Sequence, residues 1–237
     1  MNIKDSKGND YMEKNKKLVI VGAGEFADIA YEYFTYDSDY EVVAFAVEER
    51  YLEKTEHLGL PLVAFEDIEE TYPCNEYEIF IAVTYVKLNR ARRRLYALAK
   101  EKGYRCASYI SSKAFVWHNV EIGENVFIFE NNTVQYYVKI GDNVILWSGN
   151  HIGHRSVIGN DCWLTSHNVI SGFCKIGQGS FIGVNATLGD NVILGEDTVF
   201  GAAAVTVKSL PEKGCVYVGS PAKKIARTAY EQFGVEE

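Results

Sequence analysis

The sequence has 237 residues, of which 47% are hydrophobic and 13% aromatic, enough to form one large folded domain or two modest ones. The formal net charge of −8 argues against a general nucleic-acid or anionic-membrane surface, because phosphate-rich partners would be repelled at long range. Five cysteines without CxxC spacing predict reduced, partly buried thiols, and neither a disulfide framework nor a structural zinc site. The apolar stretches are strand-sized, so we expect no signal segment, no membrane span and a cytoplasmic location.

The polar residues 1–16 predict a flexible leader, since they contain little that folding could bury. Residues 17–112 then alternate short apolar runs with helix-length segments. In chain order these segments are LVIVG, EFADIAYEYF, YEVVAFAV, EIFIAVTY, LNRARRRLYALAKEKG and YRCASYI. This alternation predicts an α/β domain with a small, Rossmann-like parallel sheet. In the last helix we expect Arg92, Arg93 and Arg94 to form the solvated face, opposite Leu95 and Leu98.

The first predicted strand leads into a glycine-rich turn with the pattern GxGxxA, from Gly22 to Ala27. Such a turn lets backbone N–H groups and a helix N-terminus face an anion. A NAD-linked dehydrogenase is the first interpretation of this pattern, but the domain is short for a full dinucleotide fold, and a nucleotide-sugar diphosphate can use the same turn. Glu48 follows the second strand, where a carboxylate could meet ribose or base. The predicted substrate-binding residues are Gly22, Gly24, Glu25, Glu48, Thr84 and Tyr85.

A strict six-residue repeat governs the second half of the chain. Every sixth residue from Val116 to Phe200 is large and apolar, fifteen in succession, a register that chance does not explain. Glycine follows nine of these positions, which predicts turns with unusual φ. Because six residues can form one side of a triangular coil, residues eighteen apart should stack about 4.8 Å apart, as strands do in a sheet. The repeat therefore predicts a parallel β-helix, a type of β-solenoid, over residues 113–218, with a C-terminal tail over 219–237.

Polar residues also recur at the eighteen-residue spacing. Asn132, Asn150 and Asn168 share one column, where stacked amides can hydrogen-bond along the axis of the coils, and we interpret this ladder as structural. Cys162 and Cys174 fall at inward positions of the repeat. Periodicity alone does not set the hand of the coil.

The repeat, the segment NHIGHRSVIGND from Asn150 to Asp161, and the ending VGSPA from Val218 to Ala222 resemble one known family. They resemble the sugar O- and N-acyltransferases of the left-handed β-helix superfamily, which also have an N-terminal Rossmann-like domain opening with a glycine-rich turn. The similarity covers roughly residues 17–227, nearly the whole chain. It implies a left-handed coil, residues 113–218 as the acyltransferase domain, and a homotrimer with acetyl-CoA in the groove between neighbouring β-helices.

The same resemblance implies a nucleotide-linked sugar as substrate, held by the N-terminal domain. The implied reaction is N-acetylation of an amino sugar in surface-glycan biosynthesis, with O-acetylation of a sialic acid or another sugar as the alternative. A competing class is a noncatalytic trimeric scaffold that binds a sugar nucleotide without affinity for acetyl-CoA.

A histidine of the coil acts as general base in this family, and His154 occupies the Gly-His position of the family motif. A neutral imidazole can accept a proton at cytoplasmic pH. Without the surrounding motif, a histidine in a turn is more often an exposed residue with no catalytic role. The family has an acidic residue beside the base, but this sequence has Arg155. The orienting partner therefore comes from elsewhere, with Asp161 or another subunit among the possibilities. Main-chain N–H groups, such as that of Gly172 in the same column, would stabilise the developing oxyanion.

Further contacts with acetyl-CoA are predicted around this base. His167 could touch the acetyl group or its thioester, and basic residues near the C-terminus could meet the phosphates of CoA. The predicted acetyl-CoA-binding residues are His167, Gly172, Gly183, Lys208, Lys223 and Lys224. We expect no metal, because His118 and His154 would lie about 10 Å apart at sheet spacing, with one coil between them and no convincing third ligand.

Overall fold

The computed structural model describes residues 2–4 and 10–235, which form two compact units. The first unit comprises residues up to 84 together with 94–109, and the second comprises residues 85–93 together with 110–235. Of the predicted leader, Asn2–Lys4 (β1) and Asp10–Met12 (β2) pair as antiparallel strands, whereas residues 1 and 5–9 lie outside the described residues. The domain bounds 17–112 and 113–218 stay predictions. Within the described ranges, none of the helices is long and apolar enough to cross a membrane.

Strands and helices alternate along the first unit, as the sequence pattern predicts. In chain order the elements are Lys16–Val21 (β3), Glu25–Tyr36 (α1), Tyr40–Val47 (β4), the 3-10 turn Glu49–Tyr51, Glu56–His57 (β5), Leu60–Ala64 (β6), Ile68–Thr71 (α2), Tyr77–Ile81 (β7) and Arg90–Glu101 (α3). The first four residues of α3 belong to the second unit. The strands form one sheet in the order β5-β6-β4-β3-β7. Strands β3, β4, β6 and β7 run parallel, and β5 is antiparallel to β6.

Burial explains why these segments form a parallel sheet. The residues from Leu18 to Val21 in β3 are all 0–1% exposed, so both faces of the strand are covered, which is typical of parallel sheets. On α1 the buried side chains Phe26, Ala30 and Phe34 recur every four residues and so lie on one face of the helix. The glycine-rich turn between β3 and α1 is thereby anchored on both sides by buried residues.

The second unit consists mainly of two-residue strands at six-residue intervals. In chain order they are Tyr109–Ile110 (β8), Phe115–Val116 (β9), Glu121–Ile122 (β10), Phe127–Ile128 (β11), Thr133–Val134 (β12), Lys139–Ile140 (β13), Ile145–Leu146 (β14), His151–Ile152 (β15), Val157–Ile158 (β16), Trp163–Leu164 (β17), Val169–Ile170 (β18), Lys175–Ile176 (β19), Phe181–Ile182 (β20), Thr187–Leu188 (β21), Ile193–Leu194 (β22), Val199–Phe200 (β23), Val205–Thr206 (β24), Cys215–Val218 (β25) and Lys223–Thr228 (β26), followed by the helix Ala229–Phe233 (α4). The predicted tail thus includes a strand and a helix.

Between residues 111 and 235 these strands form three sheets. Their orders are β9-β12-β15-β18-β21-β24, β10-β13-β16-β19-β22 and β11-β14-β17-β20-β23-β25-β26. Each two-residue strand pairs in parallel with strands eighteen residues away, so that Ile152 lies between Val134 and Ile170. From Ile128 to Phe200 every sixth residue is buried, and these side chains from all three sheets join one hydrophobic core. The prediction of parallel strands stacked at eighteen-residue intervals is confirmed.

The turns between the strands differ from the predicted ones. The left-handed backbone conformation falls three residues after the inward apolar residue, for example at Arg155 (φ 57°), Asp161 (φ 61°) and His167 (φ 62°). The glycines directly after the apolar residues have ordinary φ values. A Cβ added to Gly153 would lie 2.5 Å from the carbonyl carbon of Ser171 in the next coil. The prediction that these glycines supply unusual φ is therefore wrong; close stacking of the coils requires them.

The asparagine column that includes Asn150 and Asn168 forms the predicted ladder, with bonds from side chain to backbone. The Oδ1 of Asn150 accepts from the backbone N–H of Asn168 at 2.9 Å, and the Oδ1 of Asn168 accepts from that of Ala186 at 2.9 Å. Direct amide-to-amide bonding occurs in a second column, where Asn125 donates to Asn143 at 2.8 Å. Both columns satisfy polar groups that the turns would otherwise leave buried without partners.

The prediction that Arg92, Arg93 and Arg94 form the solvated face of α3 is not correct for all three. Arg92 is 0% exposed, and its guanidinium donates to the backbone carbonyl and Oδ1 of Asn143 and to Oδ1 of Asn89. Arg93 pairs with Asp161 at 2.8 Å. Burial lowers the pKa of Arg92 to about 10, which still leaves the group protonated at neutral pH. The prediction is wrong for Arg92 because turns distant in sequence supply its acceptors.

Candidate active site

His154 lies in the turn between β15 and β16, two residues after the inward Ile152. Its backbone N–H donates to Oε1 of Gln135 at 2.9 Å, and its Nδ1 lies 3.2 Å from the same oxygen. Gln135 belongs to the corresponding turn one coil earlier, after β12. The half-buried imidazole is therefore held by a side-chain amide of a neighbouring coil.

Aromatic rings flank the imidazole. The ring of Tyr136 stacks on it, with centroids 5.3 Å apart and 13° between the ring planes, and Phe173 approaches edge-on at 5.1 Å and 80°. Both side chains are exposed, at 41% and 48%. A Cβ added to Gly172 would lie 2.6 Å from Cε1 of His154. The imidazole can occupy this position because the next coil has a glycine there.

The predicted oxyanion donor at Gly172 already has an acceptor. Its backbone N–H donates to Oδ1 of Asp190 at 2.9 Å. Gly172 thus provides space for the imidazole, while its N–H group is engaged within the chain. Its contact with acetyl-CoA stays a prediction.

Neither Arg155, which follows His154 in the sequence, nor Asp161, a candidate for its orienting partner, is directed at the imidazole. Arg155 places its guanidinium over the ring of Tyr137, 4.8 Å from the centroid. Asp161 is buried, and its carboxylate pairs with Arg93 at 2.8 Å. Asp161 is therefore not the orienting partner of His154 within this chain.

The other predicted contacts of acetyl-CoA lie at different turns. His167 is exposed in the turn between β17 and β18, with its ring over Gly149, where a Cβ would come within 2.6 Å of Nδ1. The structure therefore places His154 and His167 in different turn columns. A Cβ on Gly183 would lie 2.4 Å from the backbone nitrogen of Ala202, so packing between coils explains this glycine.

The predicted lysines near the C-terminus are exposed side chains of the second unit. Lys224 forms an ion pair with Glu212, and this hydrogen bond raises the pKa of Lys224. Within residues 13–235, no ion pair engages Lys208 or Lys223. Of the three predicted lysines, Lys208 and Lys223 therefore have ammonium groups available for an anionic ligand.

The GxGxxA turn joins β3 to α1, and its role in binding an anion stays a prediction. Gly22 has a φ of 136°, and a Cβ there would lie 2.6 Å from the carbonyl oxygen of Ala82, directly after β7. Only glycine allows this approach between the ends of two neighbouring strands. Gly24 and Glu25 are exposed where α1 begins, with open space beside Gly24. The turn thus leaves its backbone accessible at the helix N-terminus.

Glu48 follows β4, and its carboxylate is already engaged. It accepts from Arg94 at 2.8 Å and from Arg50 at 3.1 Å. The hydrogen bond from Arg94, helped by that from Arg50 and opposed by partial burial, holds the pKa of Glu48 below its usual range. Sequence reasoning missed a second pair in this unit, in which Nε2 of His57 lies 2.5 Å from Oδ1 of Asp28 in α1.

Thr84 and Tyr85 are adjacent in sequence but belong to different units. Thr84 is a half-buried residue of the first unit, after β7. Tyr85 begins the segment 85–93 of the second unit, where its ring packs against Phe181 at 4.9 Å and Trp163 at 5.2 Å. Aromatic packing therefore accounts for Tyr85, and its role in substrate binding stays a prediction.

Sequence reasoning also missed the immediate neighbours of His154. Stacking at eighteen-residue intervals places Tyr136 and Gly172 on either side of it, so this signal was present in the sequence. Gln135 is offset by nineteen residues, and nothing in the repeat distinguishes it from other turn residues. Phe173 likewise carries no motif.

Candidate metal ligands and thiols are located in the described part of the chain. No group of three or more His, Cys, Asp or Glu residues within it could hold a metal ion. Cys162 and Cys174 are 0% exposed, as predicted for inward positions. Burial raises the pKa of the Cys162 thiol to about 12, so its nucleophilic thiolate form is suppressed.

Comparison with solved structures shows that the chain is similar to sugar N-acetyltransferases. One is PerB from Caulobacter crescentus, solved in complex with CoA and GDP-perosamine, at 26% identity and a TM-score of 0.77, over 89% of this chain and 97% of that chain. Another is the acetyltransferase domain of PglB from Neisseria gonorrhoeae FA1090, at 25% identity and a TM-score of 0.77, over 89% and 100%.

WeeI from Acinetobacter baumannii AYE, at 21% identity and a TM-score of 0.59, shares the fold over 89% of this chain and 100% of that chain. No protein-family model matches the sequence, and no curated protein matches it either. The resemblance to sugar acyltransferases, predicted from the repeat and from the segments Asn150 to Asp161 and Val218 to Ala222, is confirmed by the similarity to PerB and to the PglB domain.

Proposed function

We propose that this chain is an acetyl-CoA-dependent acetyltransferase that N-acetylates a nucleotide-linked amino sugar in surface-glycan biosynthesis. The observation that carries the proposal is the presentation of His154, a half-buried imidazole in a turn of stacked six-residue coils, held by an amide oxygen and flanked by exposed rings. It is supported by similarity over 89% of the chain to structures solved with CoA and GDP-perosamine and with acetyl coenzyme A.

Acetyl transfer from a thioester to an amine requires a group that accepts the proton of the nucleophile. The amine nitrogen forms a bond to the thioester carbonyl carbon, the carbon–sulfur bond breaks, and CoA leaves as its thiol. In this proposal the imidazole of His154 takes the proton from the amine and returns it to the departing sulfur. Burial of Cys162 and Cys174 favours direct transfer over an acyl-enzyme on a cysteine of the coils.

The finer architecture in the proposal is that of the family which the sequence resembles. The three parallel sheets form a left-handed β-helix, and the N-terminal sheet is a Rossmann-like domain that holds the sugar nucleotide at the turn of Gly22 and Gly24. Three copies assemble so that acetyl-CoA lies in the groove between neighbouring β-helices, with Lys208 and Lys223 available for its phosphates. The protein acts in the cytoplasm.

The test is release of the CoA thiol from acetyl-CoA in the presence of UDP-, GDP- and dTDP-linked amino sugars. Wild-type protein should release thiol with at least one of them, and mass spectrometry of the product should show an acetyl group on nitrogen. His154→Asn should lower kcat by about 10²–10⁴-fold, the contribution typical of a general base. The matched control is His151→Asn, on the adjacent strand β15, which should leave kcat unchanged.

Two outcomes would contradict the proposal. One is the absence of thiol release with every amino sugar and sialic acid tried, together with ligand binding that calorimetry shows for a sugar nucleotide but not for acetyl-CoA. That result would favour the noncatalytic scaffold. The other is equal activity of His154→Asn and His151→Asn, which would remove His154 from the chemistry.

A further inference from the structure

The side-chain amide of Gln135 has an orientation that its surroundings determine. Oxygen and nitrogen of a glutamine amide are distinguished by their hydrogen-bond partners. The terminal atom of Gln135 nearest His154 lies 2.9 Å from the backbone nitrogen of that residue. A backbone N–H can only donate, so this atom must be the acceptor, Oε1.

The same oxygen determines the proton on the imidazole. It lies 3.2 Å from Nδ1 of His154, and an amide oxygen can only accept a hydrogen bond. An unprotonated Nδ1 would place two lone pairs against each other, so the favourable state has hydrogen on Nδ1. A neutral imidazole carries one such hydrogen, which leaves Nε2 with a free lone pair.

The next coil leaves room for the ring because it has a glycine at position 172. A Cβ there would lie 2.6 Å from Cε1 and 2.8 Å from Nε2 of His154, so any larger residue would displace the imidazole. The ring cannot turn freely, because Tyr136 stacks on its face at 5.3 Å. Stacking thus fixes the plane of the ring, and the contacts of the backbone N–H and of Nδ1 with Gln135 fix which nitrogen faces the amide oxygen.

We infer that Gln135 is the positioning residue of this site: it holds His154 as the tautomer protonated on Nδ1, so that Nε2 is the proton acceptor. The inference rests on the proposed function, in which His154 is the general base. It assigns to a neutral amide of the preceding coil the task that an acidic neighbour performs in the family, at a site where this chain has Arg155. Among residues 13–235, no carboxylate hydrogen-bonds to the imidazole.

The experiment compares Gln135→Met and Gln135→Glu with a matched control. Methionine is close to glutamine in size but offers no strong acceptor, whereas glutamate retains the oxygen. The control is Asn119→Leu, because Oδ1 of Asn119 accepts from the backbone N–H of Tyr137 at 2.9 Å in the same column of turns without touching His154. Each variant is assayed for kcat and KM across pH with acetyl-CoA and the best amino-sugar substrate.

We expect Gln135→Met to lower kcat by about 10–10²-fold with little change in KM, the loss typical when the partner that orients a functional histidine is removed. Gln135→Glu should restore most of the activity. Its added negative charge favours the protonated imidazole, so the rising limb of its pH–rate profile should move to higher pH. Asn119→Leu should have wild-type kinetics. Wild-type kcat in Gln135→Met, or equal losses in all three variants, would overturn the inference.

A second measurement needs no substrate and separates this inference from the proposed function. Nitrogen-15 NMR of the His154 ring, assigned with His154→Asn, reports which nitrogen is protonated. Wild-type protein should show hydrogen on Nδ1, and Gln135→Met should shift the population toward hydrogen on Nε2. Hydrogen on Nε2 in the wild type would refute the positioning role even if acetyl transfer is observed. The expected tautomer without any acetyl transfer would contradict only the proposed function.

Discussion

Asn168 offers the sharpest test of what holds the stacked coils together. Its side chain is 0% exposed. Oδ1 accepts from the backbone N–H of Ala186 at 2.9 Å, and Nδ2 donates to the carbonyl of Thr165 at 2.6 Å. Asn168→Leu nearly preserves the volume of the side chain but removes both bonds. It therefore leaves a backbone donor and a backbone acceptor without partners inside the turn.

Each buried polar group that loses its partner costs about 1–3 kcal/mol, so we expect Asn168→Leu to lower the free energy of unfolding by about 2–6 kcal/mol. The matched control is Asn160→Leu. Oδ1 of Asn160 accepts from the backbone N–H of Asp142 at 3.0 Å, but this side chain is exposed. Water can replace the lost bond there, so the control should cost no more than about 0.5 kcal/mol.

The assay is urea unfolding followed by tryptophan fluorescence. The three tryptophans of the sequence, Trp117, Trp147 and Trp163, all belong to the second unit, so their signal reports on the stacked coils. The expected result is a lower midpoint for Asn168→Leu at an unchanged m-value. Equal midpoints for the two variants, or a wild-type midpoint for Asn168→Leu, would refute the reasoning. Either result would show that burial does not determine how much the asparagine hydrogen bonds contribute to the free energy of unfolding.

Three further predictions concern charge and space. Burial opposes ionisation of Asp197, but the hydrogen bond and charge of Arg90 hold the pKa of its carboxyl below the usual range. The stability that this ionised carboxylate contributes is therefore present above the pKa of an unfolded aspartate and is lost as pH falls through the lower folded pKa. The urea midpoint of wild type should exceed that of Asp197→Asn at pH 7, and the two midpoints should converge in strong acid. Gly172→Ala should displace the ring of His154 and lower kcat at least tenfold without loss of secondary structure by circular dichroism, and unchanged kcat would contradict the assigned spacing. Arg92→Lys keeps the charge but loses the planar donor fork, and should destabilise the second unit by about 2 kcal/mol or more in the same urea assay.

The six-residue repeat determined the core of the second unit without help from the structure. An apolar residue at every sixth position is a property of the chain itself, and any coil with that period must turn the same residues inward to bury them. For this reason the positions from Ile128 to Phe200 could be predicted as buried, and the stacking of Asn150 on Asn168 followed from the same spacing. The βαβ order of the first unit was predictable for the same reason, since buried strands read as continuous apolar runs.

Only the tertiary structure decided which polar groups meet. Gln135 contacts His154, and Asn143 accepts from Arg92, through pairs that the repeat does not distinguish from many others. Water satisfies a polar side chain equally well wherever it is exposed, so its protein partner depends on three-dimensional position and leaves no periodic trace in the sequence. The same holds for Gly153. A glycine is required there because the backbone of the next coil lies too close for a Cβ, and that contact exists only once the chain has folded.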